Sequence, residues 1–144
     1  MPKRFTERET MTSFKDFQAS RIHGDASNTY GENATGFTYE GGYQIADSDD
    51  SLGRFWLLIS NYQYISDDLD DLERRLWADT RPQYETLSGD DLEHFARGYF
   101  ALIGKRYDHD LCTIALGGKP ATVRDIEEAL DRVWVHPLYL ERVA

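Results

Sequence analysis

Cysteine is nearly absent from this sequence of 144 residues, because Cys112 is its single representative. One cysteine excludes an internal disulfide, and its rarity fits a reducing compartment. Long apolar runs are missing as well, since none approaches the roughly 20 residues that a membrane-spanning helix needs. The opening residues, MPKRFTERET, contain no apolar segment of the kind found in a signal peptide. We therefore expect a soluble, cytoplasmic protein.

The sequence also lacks a motif that identifies a catalytic, nucleotide-binding or metal site. The segment after Asp47 begins like a calcium-binding loop, but Leu52 and Leu58 stand where such a loop needs glycine and a bidentate glutamate. The run 108–110 (DHD) lacks the paired spacing of metal ligands. Cys112 lies in the apolar run LCTIAL, which is typical of a buried thiol rather than an activated nucleophile. We expect no cofactor, no bound metal and no enzymatic activity.

Negative charge is concentrated in one third of the chain, which has a formal net charge of −10. Residues 47–93 contain 13 acidic and 4 basic residues, whereas residues 1–46 contain 6 and 5, and residues 94–144 contain 7 of each. This surplus argues against direct binding of nucleic acid, whose phosphates require lysine and arginine. It favours a basic protein partner or simple solubility. Adaptation to high salt would spread acidic residues over the whole surface, and the neutral last third counts against it.

The alternation of apolar and polar residues predicts a small antiparallel β-meander. Residues 37–39 and 43–45 alternate on either side of Gly41-Gly42, which allow a turn. Residues 47–53 form the next predicted turn. The segment 54–60 that follows is apolar on both faces, so we expect it to be an interior strand of the sheet.

Helical periodicity predicts about three α-helices packed against this meander, which makes the expected fold class α+β. Ser66 is the predicted N-cap of the first helix, over residues 67–79. The second helix covers residues 88–103. The third begins after Thr122 and ends before Pro137.

The remaining composition predicts loops, one more strand and the domain organisation. Residues 23–36 are rich in Gly, Asn, Ser and Thr, which is typical of a mobile loop. The short apolar run 111–116 predicts a buried strand. We expect one domain over residues 1–144, divisible into sub-lobes 1–80 and 88–144 at the linker between them.

The acidic third supplies the candidate functional site, a surface that binds a basic partner protein. B-form DNA presents one negative charge per about 1.7 Å, and a helix rises about 1.5 Å per residue, so carboxylates exposed along residues 67–79 approximate the charge density of DNA. The residues predicted to contact the partner are Asp49, Asp50, Asp67, Asp70, Asp71, Asp90 and Glu93. Further acidic residues that contribute to or extend this surface are Asp47, Asp68, Glu73, Glu85 and Asp91.

These observations predict a non-catalytic, acidic inhibitor of a basic nucleic-acid-binding partner, such as a nuclease or a surveillance complex. An anti-CRISPR or anti-restriction protein of a phage or mobile element, acting as a DNA mimic, fits this description. An immunity protein or antitoxin that neutralises a basic toxin fits it equally. A third hypothesis is an enzyme or small-molecule-binding protein, with a pocket between the sheet and helix 88–103 that uses His94, Arg97 and Tyr99.

Overall fold

A computed structural model describes residues 13–59 and 62–135 of the chain, and five strands of the described part form one antiparallel sheet. The strands follow one another across the sheet in chain order: β1 (Ile22–Asp25), β2 (Thr35–Thr38), β3 (Gln44–Asp47), β4 (Phe55–Ile59) and β5 (Tyr62–Ser66). The predicted antiparallel meander is therefore confirmed. Strand β4 pairs with β3 on one side and with β5 on the other, which confirms the prediction of an interior strand.

Helices make up most of the rest of the described chain. They are α1 (Phe14–Ala19), α2 (Ser27–Tyr30), α3 (Leu69–Thr80), α4 (Gly89–Leu102), α5 (His109–Leu116) and α6 (Val123–Val135). Two short strands, β6 (Thr86–Leu87) and β7 (Ala121–Thr122), pair with each other. The sheet and the three long helices α3, α4 and α6 give the predicted α+β class. The predicted end of α6 at Pro137 lies outside the described residues. None of the helices within the described ranges is long and apolar enough to cross a membrane.

Helix α3 begins later than the sequence predicts, and the prediction of Ser66 as its N-cap is wrong. Ser66 is still paired with Phe55 in the sheet, and its hydroxyl accepts a hydrogen bond from the Asp68 amide at 3.0 Å. The N-cap is Asp68, whose carboxylate accepts from the amide of Asp71 at 3.1 Å. Asp67 and Asp68 therefore lie in the connection before the helix rather than on its surface.

The prediction of a mobile loop over residues 23–36 is wrong, because this segment contains β1, α2 and the start of β2. Gly36 allows a close approach of two strands, since a Cβ at this position would lie 2.3 Å from the carbonyl oxygen of Ile45. Tyr30 holds α2 on the sheet. Its hydroxyl donates to the Gln44 carbonyl at 2.8 Å and accepts from the Leu58 amide at 3.1 Å, so it bridges β3 and β4.

Residues 111–116, predicted as a strand, belong to helix α5. The carboxylate of Asp108 caps this helix by accepting from the amide of Leu111 at 3.0 Å, and Gly117 ends it in the left-handed conformation at φ 65°. A six-residue apolar run fits a buried strand and a buried helix turn equally well by pattern alone. The caps on either side decide in favour of the helix.

Helices α3 and α4 run antiparallel and touch at a glycine. Phe14 links the first turn of α4 to the C-terminal half of α3, because its amide donates to Asp91 at 3.1 Å and its ring centroid lies 5.7 Å from that of Trp77. At the crossing, a Cβ on Gly98 would lie 2.3 Å from the carbonyl oxygen of Arg74 and 3.0 Å from the Ala78 Cβ. The hydrophobic core around this contact includes buried residues of the sheet and of all three long helices.

The Gly98→Ala variant tests this contact. Alanine stabilises an open helix by about 1 kcal/mol relative to glycine. Here we expect the opposite sign, a loss of about 1–3 kcal/mol in the free energy of unfolding, because the added methyl forces the two helices apart. Urea denaturation of both proteins measures the difference. The matched control is Gly24→Ala, whose Cβ would meet nothing within 4 Å and should change stability by less than about 0.5 kcal/mol. A Gly98→Ala protein as stable as the wild type contradicts the close contact.

Glu73 lies inside the molecule, although the sequence predicts it on the acidic surface. Its side chain has no exposed area and accepts hydrogen bonds from Arg21 at 3.0 Å, Gln18 at 2.8 Å and the Tyr39 hydroxyl at 2.5 Å. A buried charge is stable only when it is paired and fully hydrogen-bonded. The carboxylate on α3 therefore holds three points of the chain against this helix: Gln18 at the end of α1, Arg21 just before β1 and Tyr39 just after β2.

The Glu73→Ala variant should lower the free energy of unfolding by about 3 kcal/mol, because it removes the acceptor shared by Arg21, Gln18 and buried Tyr39. The matched control is Glu128→Ala on α6, which breaks an exposed pair with Arg124 at 3.5 Å. Such exposed pairs contribute less than about 1 kcal/mol. Chemical denaturation compares the two variants, and equal losses would show that the Glu73 carboxylate does not join these elements.

Candidate acidic interface

Several of the predicted acidic residues meet at one end of the five-stranded sheet. The register places Asp25 opposite Thr35, and Phe55 opposite both Asp47 and Ser66, so all five strands reach this end together. The loop between β3 and β4 and the connection from β5 to α3 also lie here. Gly53 fits directly against the backbone of Ser66, where a Cβ would approach to 2.4 Å.

Seven exposed carboxylates belong to this end of the sheet or to the adjoining first turn of α3, and we refer to them as the acidic end. Its members are Asp25, Asp47, Asp49, Asp50, Asp67, Asp68 and Asp70. Asp71 lies beside them but is half-buried and paired with Arg75 at 2.9 Å. Four of the predicted contact residues, Asp49, Asp50, Asp67 and Asp70, are therefore brought together.

Local hydrogen bonds shape the acidic end without neutralising it. Asp50 accepts from the Leu52 amide at 2.8 Å, and Asp67 accepts from the Arg54 amide at 2.9 Å. The Arg54 guanidinium lies 3.7 Å from Asp67 but is mostly exposed, so the pairing is weak. Asp47 accepts from Thr35 and faces His23, both at 2.7 Å. Slight desolvation raises the pKa of Asp47, but the hydrogen bonds to Thr35 and His23 together outweigh it and lower this pKa. Asp47 therefore stays ionised at neutral pH.

Two predicted contact residues lie elsewhere, because α4 runs antiparallel to α3 and places its first turn at the opposite end of the helix pair. Asp90 is exposed in that first turn. Glu93 pairs with Arg97 at 3.1 Å and faces α5, with His109 at 3.8 Å. The seven residues predicted from the sequence therefore do not form one contiguous face.

Other acidic residues of the charged third do not contribute to an exposed surface. Glu85 is buried and receives two hydrogen bonds from Arg81, at 3.1 and 3.2 Å; burial raises the pKa of Glu85 in spite of this pairing. Asp91 is half-buried and accepts from the Phe14 amide. Together with Glu73, these residues show that part of the acidic surplus serves the interior. The predicted line of charge along a single helix is therefore wrong.

The three residues proposed for a small-molecule pocket diverge. His94 packs on the Phe14 ring at 4.3 Å, and Tyr99 donates to Asp131 on α6 at 2.9 Å. Arg97 lies over the Tyr107 ring at 4.4 Å, on the side of α5. Within residues 13–59 and 62–135 they therefore project from three sides of the helix and do not face one site between the sheet and α4.

The structure buries Cys112, as its apolar neighbours in the sequence predict. Cys112 is 2% exposed, and burial raises the pKa of its thiol to about 11, so the thiolate is scarce at neutral pH. Within residues 13–59 and 62–135, no group of three or more His, Cys, Asp or Glu side chains could hold a metal ion.

One member of the acidic end, Asp25, was missed by sequence reasoning. It lies in β1, inside the segment that was predicted as a loop, and its pairing with β2 brings it to the same end as Asp47. The signal that could have located it is the pairing of residues 22–25 with residues 35–38, which is weak because all four residues of β1 are exposed and show no apolar alternation.

Comparisons with protein-family models, with curated proteins and with solved structures give no match for this chain.

His94 should make stability depend on pH. Its Nδ1 accepts a hydrogen bond from the Arg74 Nε at 3.2 Å, so this nitrogen cannot carry a proton. Burial first, and then the Arg74 charge, lower the pKa of His94 below 6.5, while the neighbouring carboxylates of Asp90, Asp91 and Glu93 oppose this. The unfolded chain therefore binds the proton more readily, so this contribution to stability is complete above about pH 6.5 and decreases as the pH falls.

The His94→Gln variant keeps an acceptor for Arg74 and removes the titration. We expect the fall in melting temperature between about pH 7.5 and about pH 5 to be smaller in this variant than in the wild type. The matched control is His109→Gln, whose side chain is 62% exposed and should leave the wild-type fall intact. An unchanged fall in His94→Gln would contradict the role of the buried ring.

Proposed function

We propose that this protein is a non-catalytic inhibitor that binds a basic protein surface through the acidic end of its sheet. The main support for this proposal is the convergence of seven exposed carboxylates from β1, from the end of β3 and the β3–β4 loop, and from the start of α3. In the described part of the chain, the guanidinium in contact with them is that of Arg54, which is itself mostly exposed. Carboxylates at such density raise the rate at which a basic partner associates.

The partner that best complements this surface is a protein whose basic groove normally holds nucleic acid, such as a nuclease or a surveillance complex. Its lysines and arginines are spaced for phosphates, and a compact group of carboxylates competes for the same side chains. The acidic residues that support this role are grouped at one end of the sheet, whereas the sequence predicts them along one helix. An anti-defence role against CRISPR or restriction machinery remains part of this proposal.

Charge reversal at the acidic end tests the proposal. The Asp49→Lys/Asp70→Lys variant should weaken binding to a sensitive basic nuclease or surveillance complex at least about tenfold, because four units of charge change at the contact. Surface-immobilised binding, measured at about 50 mM and about 500 mM salt, should also show a steep salt dependence in the wild type. Nucleic-acid cleavage by the partner should recover in parallel.

The matched control changes the same amount of charge elsewhere. The Asp90→Lys/Glu128→Lys variant also replaces one exposed first-turn residue and one other surface acid, but neither belongs to the acidic end. It should bind nearly as the wild type does, and thermal melts should show both variants folded. Equal loss in the two variants would mean that net charge alone acts, and absence of binding to every such candidate partner at low salt would refute the proposal.

A further inference from the structure

A cleft separates helices α4 and α5, on a part of the molecule that the proposed function does not use. Its volume is about 170 Å³. The floor is apolar and consists of buried side chains, including Leu92 at 7%, Ala96 at 1% and Cys112 at 2% exposure. A comparable apolar cavity of about 150 Å³ is large enough for one benzene ring.

The rim of this cleft is polar and held in place by successive contacts. The Tyr107 hydroxyl lies 3.0 Å from His109 Nδ1, and burial raises the pKa of Tyr107 to about 12, so the phenol remains a donor. Arg97 lies over the Tyr107 ring and donates to Oε2 of Glu93 at 3.1 Å. These contacts fix the Glu93 carboxylate at the edge of the apolar floor.

The second oxygen of Glu93 is the acceptor that this rim offers to a ligand. Oε1 lies 3.8 Å from His109 Nδ1, which is beyond hydrogen-bond distance. No hydrogen-bond donor to this atom occurs among residues 13–59 and 62–135, and the Glu93 side chain is 44% exposed. Glu93 is the acidic residue among the described residues that line the cleft, and no lysine or arginine belongs to that lining.

We propose that this cleft binds a small organic amine that carries one apolar ring. The ring occupies the floor against Leu92 and Ala96, and the ammonium group donates to Oε1 of Glu93. A charge-assisted hydrogen bond at the edge of an apolar cleft gives the selectivity, and the charge of Glu93 disfavours an anionic ligand of the same shape. This site is independent of the acidic end, because it lies between different helices.

The test uses three probes that share one benzyl group and differ in charge: benzylamine, benzyl alcohol and phenylacetate. Titration into the isotopically labelled full chain, followed by amide chemical shifts, reports both affinity and location. We expect benzylamine to shift the resonances of α4 and α5 around the cleft with roughly millimolar affinity, as its few atoms allow. Benzyl alcohol should bind about tenfold more weakly, and phenylacetate more weakly still.

Two variants locate the interaction. Glu93→Gln should weaken benzylamine binding about tenfold and leave benzyl alcohol unchanged, because the ion is lost while the cleft remains. Thr113→Phe, at an exposed position that lines the cleft, should fill it and abolish the binding of both probes. The control, Glu128→Gln, removes a distant exposed carboxylate and should change neither affinity.

Three outcomes would overturn the proposal. Absence of shifts with all three probes would show that the cleft is not a binding site. Phenylacetate binding as tightly as benzylamine would exclude an amine as the preferred ligand. Benzylamine binding that survives Glu93→Gln unchanged would show that Glu93 does not receive the ammonium group. None of these results bears on the acidic end, so the two proposals fail separately.

Discussion

The buried carboxylate of Glu73 is the interaction on which the arrangement of the layers depends. Gln18 and Arg21 donate to it from the end of α1 and from the residue before β1, and Tyr39 donates from the residue after β2. An ionised group without exposed area costs several kcal/mol unless its oxygens are fully satisfied. The hydrogen bonds to this carboxylate therefore favour a single position of α1 and of the end of β2 against α3. The same docking also positions Asp70 of the acidic end, since Gln18 donates to Asp70 as well as to Glu73.

Acidic residues of the described part of the chain serve at least three physical roles, and net charge alone conceals the difference. Glu73 and Glu85 are interior partners of arginines. Asp68 and Asp108 cap helices, where the free amides of the first turn need acceptors, and Asp68 belongs to the acidic end as well. The carboxylates at the end of the sheet remain exposed and available to a partner. A surplus counted along the sequence therefore overstates the charged surface, while the fold concentrates what remains in one place.

The sequence predicted the elements with strong periodicity and failed where local patterns are ambiguous. The meander and the helices α3, α4 and α6 follow from alternation and from repeated apolar spacing. Residues 111–116 fit two structures, and only the caps at Asp108 and Gly117 select the helix. Burial of Glu73 depends on donors up to 55 residues away, which no local pattern reveals. The same limit applies to the site: neighbouring aspartates were found, but the antiparallel α3–α4 packing that separates Asp90 and Glu93 from them was not.

The chain-order arrangement of the sheet has a consequence for the route by which the protein folds. Every strand pairs with its neighbour in sequence, so the sheet can grow by successive short loop closures, each with a small entropic cost. The contacts of Glu73 span 34, 52 and 55 residues, and their closure requires both the hairpins and α3 to exist already. We therefore expect the local strand pairs to form early in folding and the contacts of Glu73, which complete the native topology, to form late.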